Sequence, residues 1–181
     1  MNETTYQEMK EKIIQHFALT SYSVHGVDHW TRVERNGLLI ALEDDTVDVT
    51  VVRYFSIFHD SRRLTEVEDD LHGPRAMELL LAIGPDRLDL THNQFSILVY
   101  AVEGHTDGVL AGNSTVGSCW DADRLDLGRV GTLPDPKYMS TKAGKKIAVA
   151  VAANLKQKWE VARAVAAARK DSGKLFNWRR K

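Results

Sequence analysis

Apolar positions recur along this chain mainly at helical steps. Tyr6, Met9, Ile13 and Phe17 follow one another at three- and four-residue intervals and predict a helix over 4–18. Ser21 or Ser23 can cap a second helix that carries His29, Val33, Leu38 and Ala41 and runs out in "EDDTVD". Residues 47–60 open with β-branched residues. The apolar run from Val47 to His59 is longer than a usual strand and does not alternate, so it predicts a buried helix. "LTEVEDDLHGP" is polar and Gly/Pro-punctuated, and reads as a loop or broken turn before a helix from Arg75 to Ile83. "GPDRLDLTHN" is the next turn, followed by an apolar helix from Gln94 to about His105. Beyond it come a Gly-rich loop, "TDGVLAGNSTVG", a short helix in "CWDADRLDLGRVG", a loop in "LPDPKYMS" and a long Ala-rich helix over 141–170. The predicted class is all-α, without repeats.

Length and composition narrow the setting. A chain of 181 residues suffices for one substantial core and is short for two, so one domain over 1–181 is expected. With 43% hydrophobic and 27% charged residues it has the make-up of an ordinary water-soluble protein. "MNETTYQEMKEKIIQ" does not read as a signal peptide, and no apolar run approaches the ~20 residues that span a membrane. A cytoplasmic location is the corresponding expectation. Cys119 is the only cysteine, which rules out an internal disulfide and a cysteine-cluster zinc site; any metal must be held by His and carboxylate.

The net charge of −1 hides an asymmetry. Residues 1–140 hold 12 Lys and Arg against 23 Asp and Glu, whereas residues 141–181 hold 12 against 2. The basic tail, with "KLFNWRRK", could touch nucleic acid or an anionic surface. The overall pI of 6.7 is not that of a nucleic-acid binder, and favours docking on the acidic body or on a sister subunit, as in a homodimer.

Five of the seven histidines fall where a metal site could gather them: His25, His29, His59, His72 and His105. His25 and His29 are four apart, on one helix face if the helix begins before them. His59 and Asp60 close the apolar run, where a buried stem can present ligands to a cavity. Asp121 and Asp123 follow Trp120. Neutral imidazoles with carboxylates suit Mn, Fe, Co, Ni or Zn, or Mg if waters complete the shell. Taken singly these residues have plainer roles, Asp121 as a helix N-cap and Trp30 and Trp120 as core packing.

In order, His29, His59–Asp60 and Asp121 form the series H…HD…D, with "HWTRV", "FHDSRR" and "DADRLDLGRVG" around its members. In this the chain resembles the HD-domain superfamily of metal-dependent phosphohydrolases, over roughly residues 20–135. The resemblance implies an HD-like helical bundle, here extended by a long C-terminal helix. It implies that His29, His59, Asp60 and Asp121 hold one divalent metal ion, with Asp60 bridging to a second if one is present. His72 and His105 resemble the additional histidines of dinuclear members.

The implied reaction is hydrolysis of a small phosphorylated substrate, a nucleotide among the candidates, by metal-activated water. Arg62, Arg63 and Arg124 are the candidate phosphate clamps, Arg62 or Arg63 ahead of Arg124, because a guanidinium pairs with phosphate bidentately. His25 is a proton donor, a supporting partner or a cap, and His105 can serve as the acid if it is not a ligand. The same six-ligand series is similar to that of HD-fold di-iron oxygenases. A non-catalytic module stapled by metal is a third reading.

Overall fold

The computed structural model describes residues 2–175, and side chains as far as residue 166. Among the described residues there are seven α-helices and no strands: α1 (Glu3–Gln15), α2 (Val27–Ala41), α3 (Val49–Phe58), α4 (His72–Ile83), α5 (His92–Gly104), α6 (Ser114–Arg124) and α7 (Lys142–Leu175). Short 3-10 turns lie at Asp86–Leu88, Leu127–Val130 and Pro136–Tyr138.

Helix α3 is the hub. Val51, Val52, Tyr54, Phe55, Ile57 and Phe58 are fully buried, and α2, α5 and α6 pack around it. Each such side chain contributes roughly 1.5–3 kcal/mol by leaving water. The absence of alternation noted in the sequence thus reflects a helix buried over most of its circumference, with Arg53 on its one polar edge. Asp48 starts it by accepting hydrogen bonds from the Thr50 and Val51 amides (2.9 and 3.2 Å). The other oxygen of Asp48 accepts from Gln94 Nε2 (2.8 Å), and Gln94 also closes a capping box with Thr91, so the starts of α3 and α5 are tied together.

Three expected boundaries move. Helix α2 begins at Val27, capped by the Gly26 backbone; Ser23 instead accepts from the His25 amide (3.0 Å) in the preceding turn, so His25 lies outside the helix. Helix α4 begins at His72, taking in the Gly–Pro pair read as loop. Pro74 is accommodated because amides of the first turn have no intrahelical acceptor. Helix α6 begins at Ser114, with Asn113 accepting from the Val116 amide (3.0 Å) as its cap. A second core cluster, Ile40, Leu125, Met139, Ala143 and Ala148, seats the first turns of α7. The "KLFNWRRK" tail lies outside the described residues from 176 onward. None of the described helices is long and apolar enough to cross a membrane.

Candidate metal centre

The last turn of α3 delivers His59 and Asp60 into a space ringed by α2, the start of α4, the end of α5 and α6. Gly73 allows the α4 start to come close. A Cβ there would lie 2.7 Å from the Glu103 carbonyl oxygen of α5, so a side chain would push His72 away from His105. On the opposite side, Trp30 Nε1 donates to the His25 carbonyl (2.8 Å) and fixes the turn that carries His25.

Two groups of possible metal-ligating atoms result, each within 4.8 Å: His29, His59 and Asp123, and Asp60, His72 and His105. The two meet at Asp60. Its Oδ2 lies 3.6 and 3.7 Å from Nε2 of His29 and His59, and 3.0 Å from His25 Nδ1. Its Oδ1 lies 3.2 and 3.8 Å from Nε2 of His72 and His105. One carboxylate thus faces both groups with different oxygens.

The hydrogen bonds behind the imidazoles fix their proton positions. Nδ1 of His59 faces the Phe55 and Ser56 carbonyls (3.2 and 3.0 Å), that of His72 the Asp69 carbonyl (2.5 Å), and that of His105 the Val102 carbonyl (2.7 Å). His29 Nδ1 faces the Asp126 carboxylate (2.8 Å). Carbonyls and carboxylates only accept, so each Nδ1 carries a proton, and in its neutral form each ring turns a bare Nε2 inward. Those nitrogens stand in facing pairs, His29–His59 at 3.0 Å and His72–His105 at 2.8 Å. Two lone pairs at this distance repel unless a cation lies beside them. Asp123 Oδ1, 3.3 Å from His29 Nε2, is buried without a hydrogen-bond partner. An orphaned carboxylate oxygen among inward-facing imidazole nitrogens fits divalent metal ions.

Burial alone would raise the Asp60 carboxyl, but the surrounding histidines hold it well below the usual carboxylate range. Asp123 is lowered despite its burial, chiefly through His29. Burial depresses His59 to about 3, which keeps it neutral. Burial opposes charge on His29 too, but the neighbouring Asp123 and Asp126 carboxylates outweigh it and raise its pKa, so positive charge is favoured beside its Nε2.

His29, His59, Asp60, His72 and His105 are brought together, with His25 against Asp60. Asp121 is not. Its carboxylate turns to the start of α7 and accepts from the Ser140 and Thr141 amides (2.7 and 2.8 Å) and the Thr141 hydroxyl (2.8 Å). Burial raises its pKa even against these donors. Asp123, two residues on and about 200° round the helix, takes the place expected of Asp121.

The arginines divide similarly. Arg63 is at the site, with Nη1 3.8 Å from Asp60 Oδ1 and its other nitrogens held by the Thr65 and Val67 carbonyls (3.1 and 2.7 Å). Arg62 points away, into a hollow with Met9, Ile13, Leu79 and Ile83. Arg124 is structural: it donates to the carbonyls of Gly108, Val109 and Tyr138 and secures the loop between α5 and α6. Sequence reasoning did not single out Asp126, which holds His29 and also accepts from Arg32 Nε (2.7 Å), or Arg129, whose Nη2 lies 3.7 Å from Asp123 Oδ1. Both lie in the quoted "DADRLDLGR" segment, which was the available signal.

No protein-family model and no curated protein matches the sequence. Among solved structures, the chain is similar to a predicted HD superfamily hydrolase from an uncultured Thermotogales bacterium, with 21% identity and a TM-score of 0.69 over 92% of this chain and 99% of that one. It is also similar to a Lactobacillus plantarum protein, with 16% identity and a TM-score of 0.58 over 93% and 99% of the two chains.

Proposed function

From an HD-type fold closed around a buried histidine–aspartate centre, we propose that the protein is a metal-dependent phosphohydrolase acting on a small phosphoester, and that it holds two metal ions. The observation that carries this reading is Asp60, whose two oxygens face two separate ligand groups. His29, His59 and Asp123 would hold one ion, His72 and His105 the other, with Asp60 shared. Bound there, divalent metals supply an acidified water and positive charge for the phosphate oxygens.

The chain's own residues supply the rest. Asp126 and the backbone carbonyls keep the imidazoles in one tautomer, so the ligand geometry is set before substrate arrives. Arg63, pinned at Nε and Nη2, presents Nη1 beside Asp60 as a preorganised donor to an equatorial phosphate oxygen. His25 donates from Nδ1 to Asp60 Oδ2 (3.0 Å), so its doubly protonated, imidazolium form carries on Nε2 the proton that the leaving oxygen needs.

The test is elemental analysis of protein purified without added metal, followed by phosphate release from generic esters and nucleotides with Mn²⁺, Co²⁺, Ni²⁺ and Mg²⁺ in turn. Metal-dependent phosphate release, lost together with bound metal in Asp60→Ala, is the expected result. The six-ligand set equally suits a di-iron oxygenase. Two irons per chain, O₂ consumption and no phosphate release would establish that reaction instead.

A further inference from the structure

On the far side of His29 from the metal centre, a cavity of about 650 Å³ opens between α2, the turn at Leu127–Val130 and α7. Its wall carries Arg32, Arg35, Arg129 and Lys158 against a single carboxylate, Asp126. That carboxylate is already engaged by His29 Nδ1 (2.8 Å) and Arg32 Nε (2.7 Å). Four like charges gathered in one concavity repel unless an anion enters it.

Arg129 makes the case specific. Its side chain is only 10% exposed. Nε donates to the Val24 carbonyl (3.0 Å), Nη2 stands 3.7 Å from Asp123, and Nη1 is buried with no hydrogen-bond partner. A buried guanidinium nitrogen without an acceptor is costly to keep, and it belongs to an arginine on the cavity wall. The turn that carries it is pressed against α7 at Gly128, where a Cβ would come within 2.7 Å of Leu155 Cδ1.

We propose that this cavity binds a small molecule bearing a diphosphate or longer phosphate chain. With Asp126 against Arg32 and Asp123 against Arg129, the wall keeps a surplus of two positive charges, which matches a polyanion rather than one carboxylate, and guanidinium forks suit phosphate oxygens. The volume is that of a small-molecule site. The site needs no metal ion and stands whether or not the phosphohydrolase reading holds. Asp126 and Arg129 each reach from this cavity to a residue of the candidate metal centre, His29 and Asp123 respectively.

Titration calorimetry of the full chain with inorganic pyrophosphate, without added divalent ions, tests this. Pyrophosphate should bind, and Arg35→Ala with Lys158→Ala should weaken it at least about 10-fold with metal content and circular dichroism unchanged. His72→Ala with His105→Ala, which dismantles one ligand group, should retain the binding. No binding to the unaltered chain would overturn the proposal, as would equal affinity in the Arg35/Lys158 variant. Binding lost in the histidine variant and kept in the arginine–lysine one would place pyrophosphate on the metals, against this inference and for the reading above. A chain without metal or phosphate release that still binds pyrophosphate through Arg35 and Lys158 would leave this site standing alone.

Discussion

Asp121 and Asp123 sit two residues apart and have opposite tasks, which a substitution pair can separate. Asp123→Ala should lose metal from the group formed with His29 and His59 and abolish activity, whereas Asp121→Ala should keep bound metal and lower thermal stability. Equal metal loss in both would show that Asp121 is a ligand after all. A sequence cannot distinguish the two, because α6 is buried on every side from Thr115 to Ala122 and helical periodicity no longer tells one face from another. His59 and Asp60 were legible for the opposite reason: a polar pair ending an apolar run must be either paired or ligating. Among the arginines, guanidinium chemistry beside the H…HD…D series offers three candidates, Arg62 or Arg63 ahead of Arg124, and the fold chooses Arg63. Arg63→Ala should raise KM or lower kcat with metal still bound, by up to about 10²–10³-fold, the range seen when one preorganised donor is removed. Arg62→Ala should change neither.

The helices follow from their apolar periods, and expectation and structure differ at the helix starts. Helix α4 starts three residues before its expected first residue, Arg75: Gly73 and Pro74 look like loop residues, although proline is at home in a first turn and the glycine is required by contact with α5. Gly73→Val should therefore drive α4 from α5, costing about 1–3 kcal/mol of stability and loosening the His72–His105 pair. Chemical denaturation and a metal titration of the variant would measure the two effects. Normal metal content in a fully folded variant would show that the close approach is dispensable. The α3–α5 link through Asp48 and Gln94 was not legible, because it joins side chains 46 residues apart.

At the scale of the whole molecule, α1 is fastened to the bundle by charge. Arg53 of α3 donates to Glu3 (2.7 and 3.0 Å) and to Glu34 of α2 (2.6 Å). Hydrogen bonding by Arg53 holds the Glu3 carboxyl at about 2 against an ordinary 4.5. A lowered folded-state pKa gives stability that is present above pH 4.5 and is lost as pH falls towards 2. Glu3→Gln should flatten this part of the acid-unfolding curve and leave the melting temperature less pH-dependent there; an unchanged slope would place the acid sensitivity elsewhere. Glu3 is exposed, so added salt should shrink the difference.

The grip of Asp121 on α7 has a consequence in exchange rates. The Ser140 and Thr141 amides precede the helix and have no helical acceptor, and would ordinarily trade their protons with water in the manner of a loop. Bonded to a buried carboxylate, they should exchange as slowly as the core of α6, and in Asp121→Asn both should quicken together, whether or not the protein is loaded with metal.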